Sequence, residues 1–188
     1  MKLLAIAGSL RKESLNRKLL QHTVQLLEKA GAQVEWVDWK ALAIPIYDGD
    51  IEAVGIPAGA LALAKQVTEA DGIVIASPEY NMSMPALVKN AIDWLSRTKP
   101  MPLRGKNALL LSASQGLVGG NRGLWALRVP LEVLGVHVYP DMFSLATAQN
   151  AFTEGGGIKE EPLAKFLNRI VDGFMKVTAA HDAVRSKP

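Results

Sequence analysis

The chain has 188 residues, of which 49% are hydrophobic, 21% charged and 6% aromatic, and its formal net charge is +3. This length and composition predict a single domain, residues 1–188, around one core, and the lack of cysteine excludes disulfides, thiol catalysis and thiolate metal sites. Few aromatic residues and dispersed lysines and arginines argue against a nucleic-acid partner, and no apolar run reaches the roughly 18 residues of a membrane span, so we expect a cytoplasmic protein.

Apolar runs of strand length alternate with segments of helical period along the chain. Strands are predicted at 2–8, 33–39, 72–81 with a terminal proline turn, 106–114 and 136–140. Helices are predicted at 14–29, 60–70, 83–97 with Pro85 in its first turn, 121–134 and 159–180, and a loop at 40–59. Such alternation predicts an α/β fold in which a five-stranded parallel sheet carries helices on both faces. Ligands bind such sheets beyond the carboxyl ends of the strands, so a site is expected in the segments after strands one, three and four.

The segment after strand one reads GSLRKESLN, from Gly8 to Asn16. The glycine allows the backbone to approach a ligand closely, and the next helix offers free N–H groups at its start. Hydrogen bonds to an anion can come from the side chains of Ser9, Arg11, Ser14 and Asn16. Neither the P-loop nor the G-x-G-x-x-G pattern is present. No carboxylate follows Gly8 at the strand end to hold magnesium, so the pattern favours a terminal monophosphate, as in a mononucleotide, over ATP.

The segment after strand three reads SPEYNMSMPALVKNAIDW. Pro78 fixes the backbone, and Glu79, Tyr80 and Asn81 form a turn at the strand tip. A planar heterocycle such as a flavin could lie there against Tyr80 and Met82. The alternative is a plain strand-to-helix turn with a Ser83 cap.

The segment after strand four reads SASQGLVGGNRG. Ser112, Ser114 and the glycines supply a small wall rich in hydrogen-bond donors. A glycine-rich turn is by itself a weak signal. Three polar loops that meet at one edge of the sheet are a stronger indication of a ligand site than any one of them.

Together these three motifs resemble the NADPH-dependent FMN reductase family, which includes bacterial chromate and quinone reductases and related azoreductases. The resemblance covers about residues 2–140 and implies a flavodoxin-like three-layer sandwich with strand order 2-1-3-4-5. It also implies bound FMN, with NADPH or NADH as electron donor. By position, the FMN phosphate would be surrounded by Ser9, Leu10, Arg11, Ser14 and Asn16, the isoalloxazine bordered by Pro78, Glu79, Tyr80, Asn81 and Met82, and the third side closed by Ser114.

The resemblance therefore implies an oxidoreductase that passes electrons from NAD(P)H through FMN to a small-molecule acceptor: a quinone, chromate, an azo compound or free flavin. It implies a homodimer or homotetramer, with helix 83–97 as the expected contact. The alternative is a flavodoxin-type electron carrier without a nicotinamide site. The sequence leaves open the acceptor, the oligomer size and the preference for NADPH over NADH, for which Arg104, Lys106 and Arg122 are all candidate 2′-phosphate partners.

Overall fold

The structure, a computed structural model, describes residues 1–185, so the last three residues of the predicted domain lie outside the described part. One parallel sheet contains β1 (Lys2–Ala7), β2 (Gln33–Trp36), β3 (Gly72–Ala76), β4 (Asn107–Ala113), β5 (His137–Val138) and β6 (Phe143–Leu145). The spatial order is β2-β1-β3-β4-β5, and β6 also pairs with β4. The predicted α/β fold and strand order are confirmed.

Helices cover both faces of this sheet. They are α1 (Leu15–Lys29), α2 (Trp39–Leu42), α3 (Gly49–Val54), α4 (Ala58–Glu69), α5 (Ala86–Leu95), α6 (Asn121–Val133) and α7 (Glu161–Arg185). Alternate residues of β1 enter opposite cores: Leu3 and Ala5 pack with α1 and α7, whereas Leu4 and Ile6 pack with α4, α5 and α6. Because the strands are buried on both faces, they are continuously apolar in sequence.

The register of the central strands brings three loops to one edge. Ala7 of β1 pairs with Ala76 of β3, which pairs with Leu111 of β4. Gly8 extends the ladder, donating its N–H to the Ala76 carbonyl at 2.8 Å. A Cβ on Gly8 would lie 2.9 Å from Val88 Cγ2, so packing against α5 requires the glycine here.

The predicted loop at 40–59 is wrong in part, because it contains α3 and parts of α2 and α4. Asp38 accepts hydrogen bonds from the first turn of α2, and Asp48 does the same for α3. Side-chain oxygens of this kind satisfy N–H groups that a helix leaves unpaired at its start. Helices of four and six residues are too short to show a period in the sequence.

Proline explains two further differences. The helix predicted at 83–97 begins only at Ala86, since Pro85 is extended at φ −70° and ψ 150° and a residue before proline avoids helical geometry. The strand predicted at 136–140 ends at Val138, and β6 occupies the same side of β4 further along. Pro140 has no N–H for the ladder and lies between the two short strands.

Candidate functional site

The loop after β1 and the start of α1 bring several polar groups together, and this group is called here the cradle. Ser14 is the N-cap of α1, and its hydroxyl accepts the N–H of Arg17 at 3.2 Å. The next two residues, Leu15 and Asn16, are in the first turn, where a helix leaves N–H groups without intrahelical partners. Ser9 is buried and its hydroxyl accepts the Arg11 N–H at 3.3 Å. The cradle therefore combines a helix N-terminus, two hydroxyls and one exposed guanidinium.

The side chain of Asn16 is held by the fold. Its side chain is 4% exposed and makes two hydrogen bonds to Ala113: Nδ2 donates to the carbonyl at 2.8 Å and Oδ1 accepts the N–H at 2.9 Å. This amide ties the start of α1 to the end of β4. The sequence suggested that this side chain donates a hydrogen bond to an anion. Its amide is instead occupied by the two hydrogen bonds to Ala113.

The loop after β3 ends in a tight hairpin. Tyr80 and Ser83 exchange two backbone hydrogen bonds, at 2.9 and 3.0 Å. Asn81 and Met82 between them both have positive φ, 50° and 63°, as in the turns that join two antiparallel strands. Ser83 is therefore part of the hairpin, so its alternative assignment as a helix cap is wrong. Left-handed backbone at a methionine is unfavourable by about 1–3 kcal/mol and concentrates at functional sites.

Glu79 points toward α6. Its carboxylate accepts the Gly123 N–H at 3.2 Å and pairs with Arg122 Nε at 3.0 Å. Gly123 is in the first turn of α6, so Glu79 satisfies a helix N-terminus from a separate loop. A Cβ on Gly123 would lie 3.0 Å from Glu79 Cα, which shows how closely the two segments pack.

Ser114 lies in the turn after β4, whereas Ser112 lies within β4 in the core. Ser114 Oγ accepts the Gly116 N–H at 2.9 Å and shapes the turn. Ser112 is fully buried, and its hydroxyl has no hydrogen-bond partner in the described part of the chain. A Cβ on Gly120, whose φ is +85°, would overlap that hydroxyl. Ser112 was predicted to line the ligand wall, but it is buried against Gly120 and does not line the cavity described next.

These loops enclose a cavity of about 230 Å³, called here the β1/β3/β4 cavity. Its lining includes eight of the predicted residues: Ser9, Arg11, Ser14, Asn16, Pro78, Glu79, Tyr80 and Ser114. It also includes Gly116, one of the glycines of the predicted wall, and three residues that were not predicted for the site, Leu15, Ala113 and Gln115. Leu10, Asn81 and Met82 lie outside this lining, and each is exposed. Position within the quoted motifs was the only sequence signal for Leu15, Ala113 and Gln115.

Chemistry, more than size, distinguishes this cavity. Volumes of about 340, 420 and 540 Å³ occur elsewhere on the described chain. Only the β1/β3/β4 cavity among these four is bordered by all three strand-end loops. Its residues fit FMN: the cradle suits one phosphate, and the exposed Tyr80 lies beside it at the same edge. Within residues 1–185, no cluster of three or more His, Asp or Glu side chains could hold a metal ion.

Two of the three candidate partners for a 2′-phosphate lie away from this edge. Lys106 precedes β4, is 8% exposed and donates to the carbonyls of Thr68 and Ala70. Arg104 also precedes β4, beside Gly135. Arg122 alone of the three is at the ligand edge, where it pairs with Glu79.

Known proteins resemble this chain along most of its length. The sequence model of one family, NADPH-dependent FMN reductase, matches residues 1–150. An NAD(P)H-dependent FMN reductase of Pseudomonas aeruginosa is 37% identical over 171 residues, which cover 90% of each chain. A quinone reductase of Escherichia coli K12 is 42% identical over 139 residues, 73% of each chain. Among solved structures, the flavoenzyme NAD(P)H:(acceptor) oxidoreductase FerB from Paracoccus denitrificans has a TM-score of 0.81 at 30% identity, covering 96% of this chain and 98% of its own. No helix within residues 1–185 has the length and apolar character to cross a membrane.

Proposed function

The chain belongs to the NADPH-dependent FMN reductase family, and on that premise we propose that the β1/β3/β4 cavity is where it binds FMN. The protein is an FMN-dependent NAD(P)H oxidoreductase that passes electrons to quinones or similar acceptors. The observation that carries the site proposal is the convergence of the three strand-end loops on one cavity. Nothing in the relatives favours the alternative of an electron carrier of the flavodoxin type.

The phosphate of FMN would lie at the start of α1. The N–H groups of Leu15 and Asn16 face it with the partial positive charge of the helix end, and Ser9 and Ser14 add hydroxyls. Arg11 supplies the one formal positive charge in the cavity lining. Charge-assisted hydrogen bonds of this kind contribute about 1.5–3 kcal/mol each.

The isoalloxazine would border the hairpin after β3 and the turn after β4. Tyr80 is 49% exposed beside the cavity and offers a flat apolar surface. Pro78 and the Tyr80–Ser83 backbone pair hold this loop in place. Glu79 keeps it against α6, and its carboxylate is partnered there, so we assign Glu79 a positioning role. Asn81 and Met82 are proposed to meet the ring or its reaction partners at the open rim.

Bound FMN supplies hydride and electron transfer between NAD(P)H and the acceptor. The side chains of this chain orient that chemistry. The Gly116 N–H is donated to Ser114 Oγ, so we propose that the turn after β4 offers the backbone N–H of Gln115, a preorganised dipole of the kind that stabilises negative charge where it develops. We propose quinones as the first acceptor class to test, with chromate, azo compounds and free flavin as the others.

An exposed apolar stripe suggests how copies of this chain associate. Trp125, Val129 and Val133 lie at spacings of four on α6 and are 57%, 63% and 78% exposed. The outward side of α5 instead carries an ion pair, Lys89 with Asp93 at 2.7 Å. We therefore propose that α6, in place of the helix expected from sequence, forms the contact of a homodimer or homotetramer.

Light scattering during gel filtration tests this contact. Trp125→Lys should reduce the mass toward that of a monomer, because a charge would be buried against an apolar partner. Leu61→Lys is the matched control, since Leu61 is 51% exposed on α4, away from the stripe. A wild-type monomer, or equal dissociation by both variants, would contradict the proposal.

We further propose that residues 1–188 act as one FMN-binding domain in the cytoplasm. The domain part is tested by limited proteolysis with bound FMN, which should leave one resistant core. A stable fragment that binds FMN without residues of α7 would contradict it. Cell fractionation tests the location, and recovery in the periplasm or an organelle fraction would overturn it.

The function is tested by the absorption spectrum of the purified protein. Bound flavin should give its absorption band, and NADPH added without oxygen should bleach it. A quinone should then restore the band. Arg11→Ala should weaken FMN binding roughly tenfold or more at unchanged folding, whereas Lys12→Ala, its exposed neighbour, should not. A variant at Arg11 that retains FMN as well as the wild type would remove it from the phosphate site.

A further inference from the structure

A second cavity adjoins the proposed FMN site on the side toward β2. It has a volume of about 420 Å³, within the range of roughly 300–1,000 Å³ that small-molecule sites occupy. We call it the β1/β2 cavity, and it is lined by Ala7, Ser9, Leu10, Arg17, Trp36, Val37, Asp38, Trp39 and Lys40. Ser9 lines both cavities, so only the chain around it separates them. The two cavities meet at the phosphate end of the proposed FMN site, so a donor that lies along the cofactor can extend into this space.

The lining combines aromatic faces with positive charge. Trp39 is fixed in place because its Nε1–H donates to the Ala7 carbonyl at 2.7 Å. The guanidinium of Arg17 lies over the Trp36 ring, 5.6 Å from its centroid. Lys40 adds a second cation. Indole faces beside cations suit a planar aromatic ring that carries an anionic group.

The charges of the lining specify that group further. An arginine suits a 2′-phosphate, whereas an acidic residue suits a ribose 2′-hydroxyl. Asp38 follows β2, but its Oδ1 accepts the N–H groups of Lys40 and Ala41 at 3.0 and 3.2 Å. Arg17 and Lys40 outnumber this one carboxylate among the lining residues. The balance of charge therefore favours a phosphate over a hydroxyl.

Resting on the proposed function, we infer that the β1/β2 cavity binds the adenosine 2′-phosphate half of NADPH, and that Arg17 determines the preference for NADPH over NADH. In the opposite direction along the sheet edge, Leu117 and Val118 are exposed at 88% and 48%, and Arg122 is already paired with Glu79. The charged half of the donor therefore finds its better complement toward β2. The nicotinamide half would remain at the flavin.

Calorimetry on the FMN-loaded enzyme with 2′,5′-ADP tests this inference directly, because this probe lacks the nicotinamide. It should bind more tightly than 5′-ADP. Arg17→Gln should weaken 2′,5′-ADP about tenfold and raise the KM for NADPH by a similar factor, with kcat, FMN content and the KM for NADH within about twofold. Lys18→Gln is the matched control: the same charge is removed from the next residue, which pairs with Glu13 at 3.4 Å outside this cavity.

A second variant tests the aromatic surface. Trp36→Leu should weaken 2′,5′-ADP and 5′-ADP alike, since it removes a face that both rings use, and its thermal unfolding is recorded to verify folding. Absence of 2′,5′-ADP binding to the wild type, or equal loss of NADPH and NADH use in Arg17→Gln, overturns the inference. These results are separable from a failure of the proposed function, which would appear as a protein that binds no FMN or is not reduced by either donor.

Discussion

Asn16 gives the sharpest test of how the site is built. Replacing it with alanine removes both hydrogen bonds to Ala113, at 2.8 and 2.9 Å, and leaves the Ala113 N–H and carbonyl without these partners in a buried position. An unsatisfied buried backbone group is unfavourable by about 1–3 kcal/mol. We therefore expect Asn16→Ala to lower the free energy of unfolding by about 2–4 kcal/mol. For a domain of this size, that corresponds to a decrease in Tm of roughly 5–15 °C.

The assay is urea unfolding of the FMN-free protein, because bound ligand would add its own stabilisation. Asn168→Ala is the matched control: that asparagine donates to the Ala164 carbonyl at 3.0 Å on the exposed face of α7. Its replacement should change stability by no more than about 0.5 kcal/mol. If the two variants lose the same stability, or Asn16→Ala loses less than about 1 kcal/mol, the tie between α1 and β4 is not what the structure indicates.

Asn16→Asp adds a pH signature to the same test. One carboxylate oxygen would face the Ala113 carbonyl, so folding favours the protonated acid and raises the pKa of the new carboxyl above its unfolded value of about 4. The stabilisation by the protonated form is present at low pH and is lost as pH rises through the folded pKa. Relative to wild type, Asn16→Asp should therefore recover stability as pH falls from about 7 toward about 4, and Asn16→Ala should not. A pH-independent deficit would contradict this reasoning.

Three further predictions concern the rim, a glycine and a histidine. Tyr80→Ala should alter the flavin absorption spectrum or acceptor turnover more than FMN affinity; unchanged spectrum and kinetics would remove Tyr80 from the site. Gly120→Ala should destabilise the fold by about 2–4 kcal/mol, since its φ is +85° and the new Cβ overlaps Ser112 Oγ. Gly31 has a φ of +91° and open space at Cβ, so Gly31→Ala should lower the free energy of unfolding in urea by only about 1 kcal/mol. Equal losses of stability in the two variants would refute the overlap at Gly120. Burial lowers the pKa of His22, so stability should decrease as pH falls through about 6.5, and His22→Gln should flatten that slope in urea titrations.

The sequence predicted the central sheet well because its strands are buried on both faces. Continuous apolar runs such as that of β1 mark this burial, and alternation with long amphipathic helices then constrains the topology. The short elements were not predictable in the same way. The two helices that begin at Trp39 and Gly49 have too few residues for a helical period, and β6 has only three. Their formation depends on caps and on neighbouring strands, which are properties of the folded chain.

The candidate site was predictable as a set of loops, and less so as a set of side-chain directions. Strand-end position located Ser9, Arg11 and Ser114 at the cavity. Whether a side chain faces the ligand or the fold depends on partners far along the chain. Asn16 meets Ala113, 97 residues away, and Glu79 meets Gly123, 44 residues away. No local pattern encodes such long-range hydrogen bonds.

The contact between Glu79 and the first turn of α6 has a thermodynamic consequence. Residue 79 belongs to the loop proposed to border the flavin, and α6 carries the stripe proposed to meet another subunit. If both proposals hold, a change in the order of the loop also changes the order of α6. FMN binding and subunit association then become reciprocally coupled. FMN would then be lost more readily on dilution, and flavin removal would promote dissociation by the same factor. Glu79→Gln, which keeps the shape but removes the charge, should reduce that factor toward one.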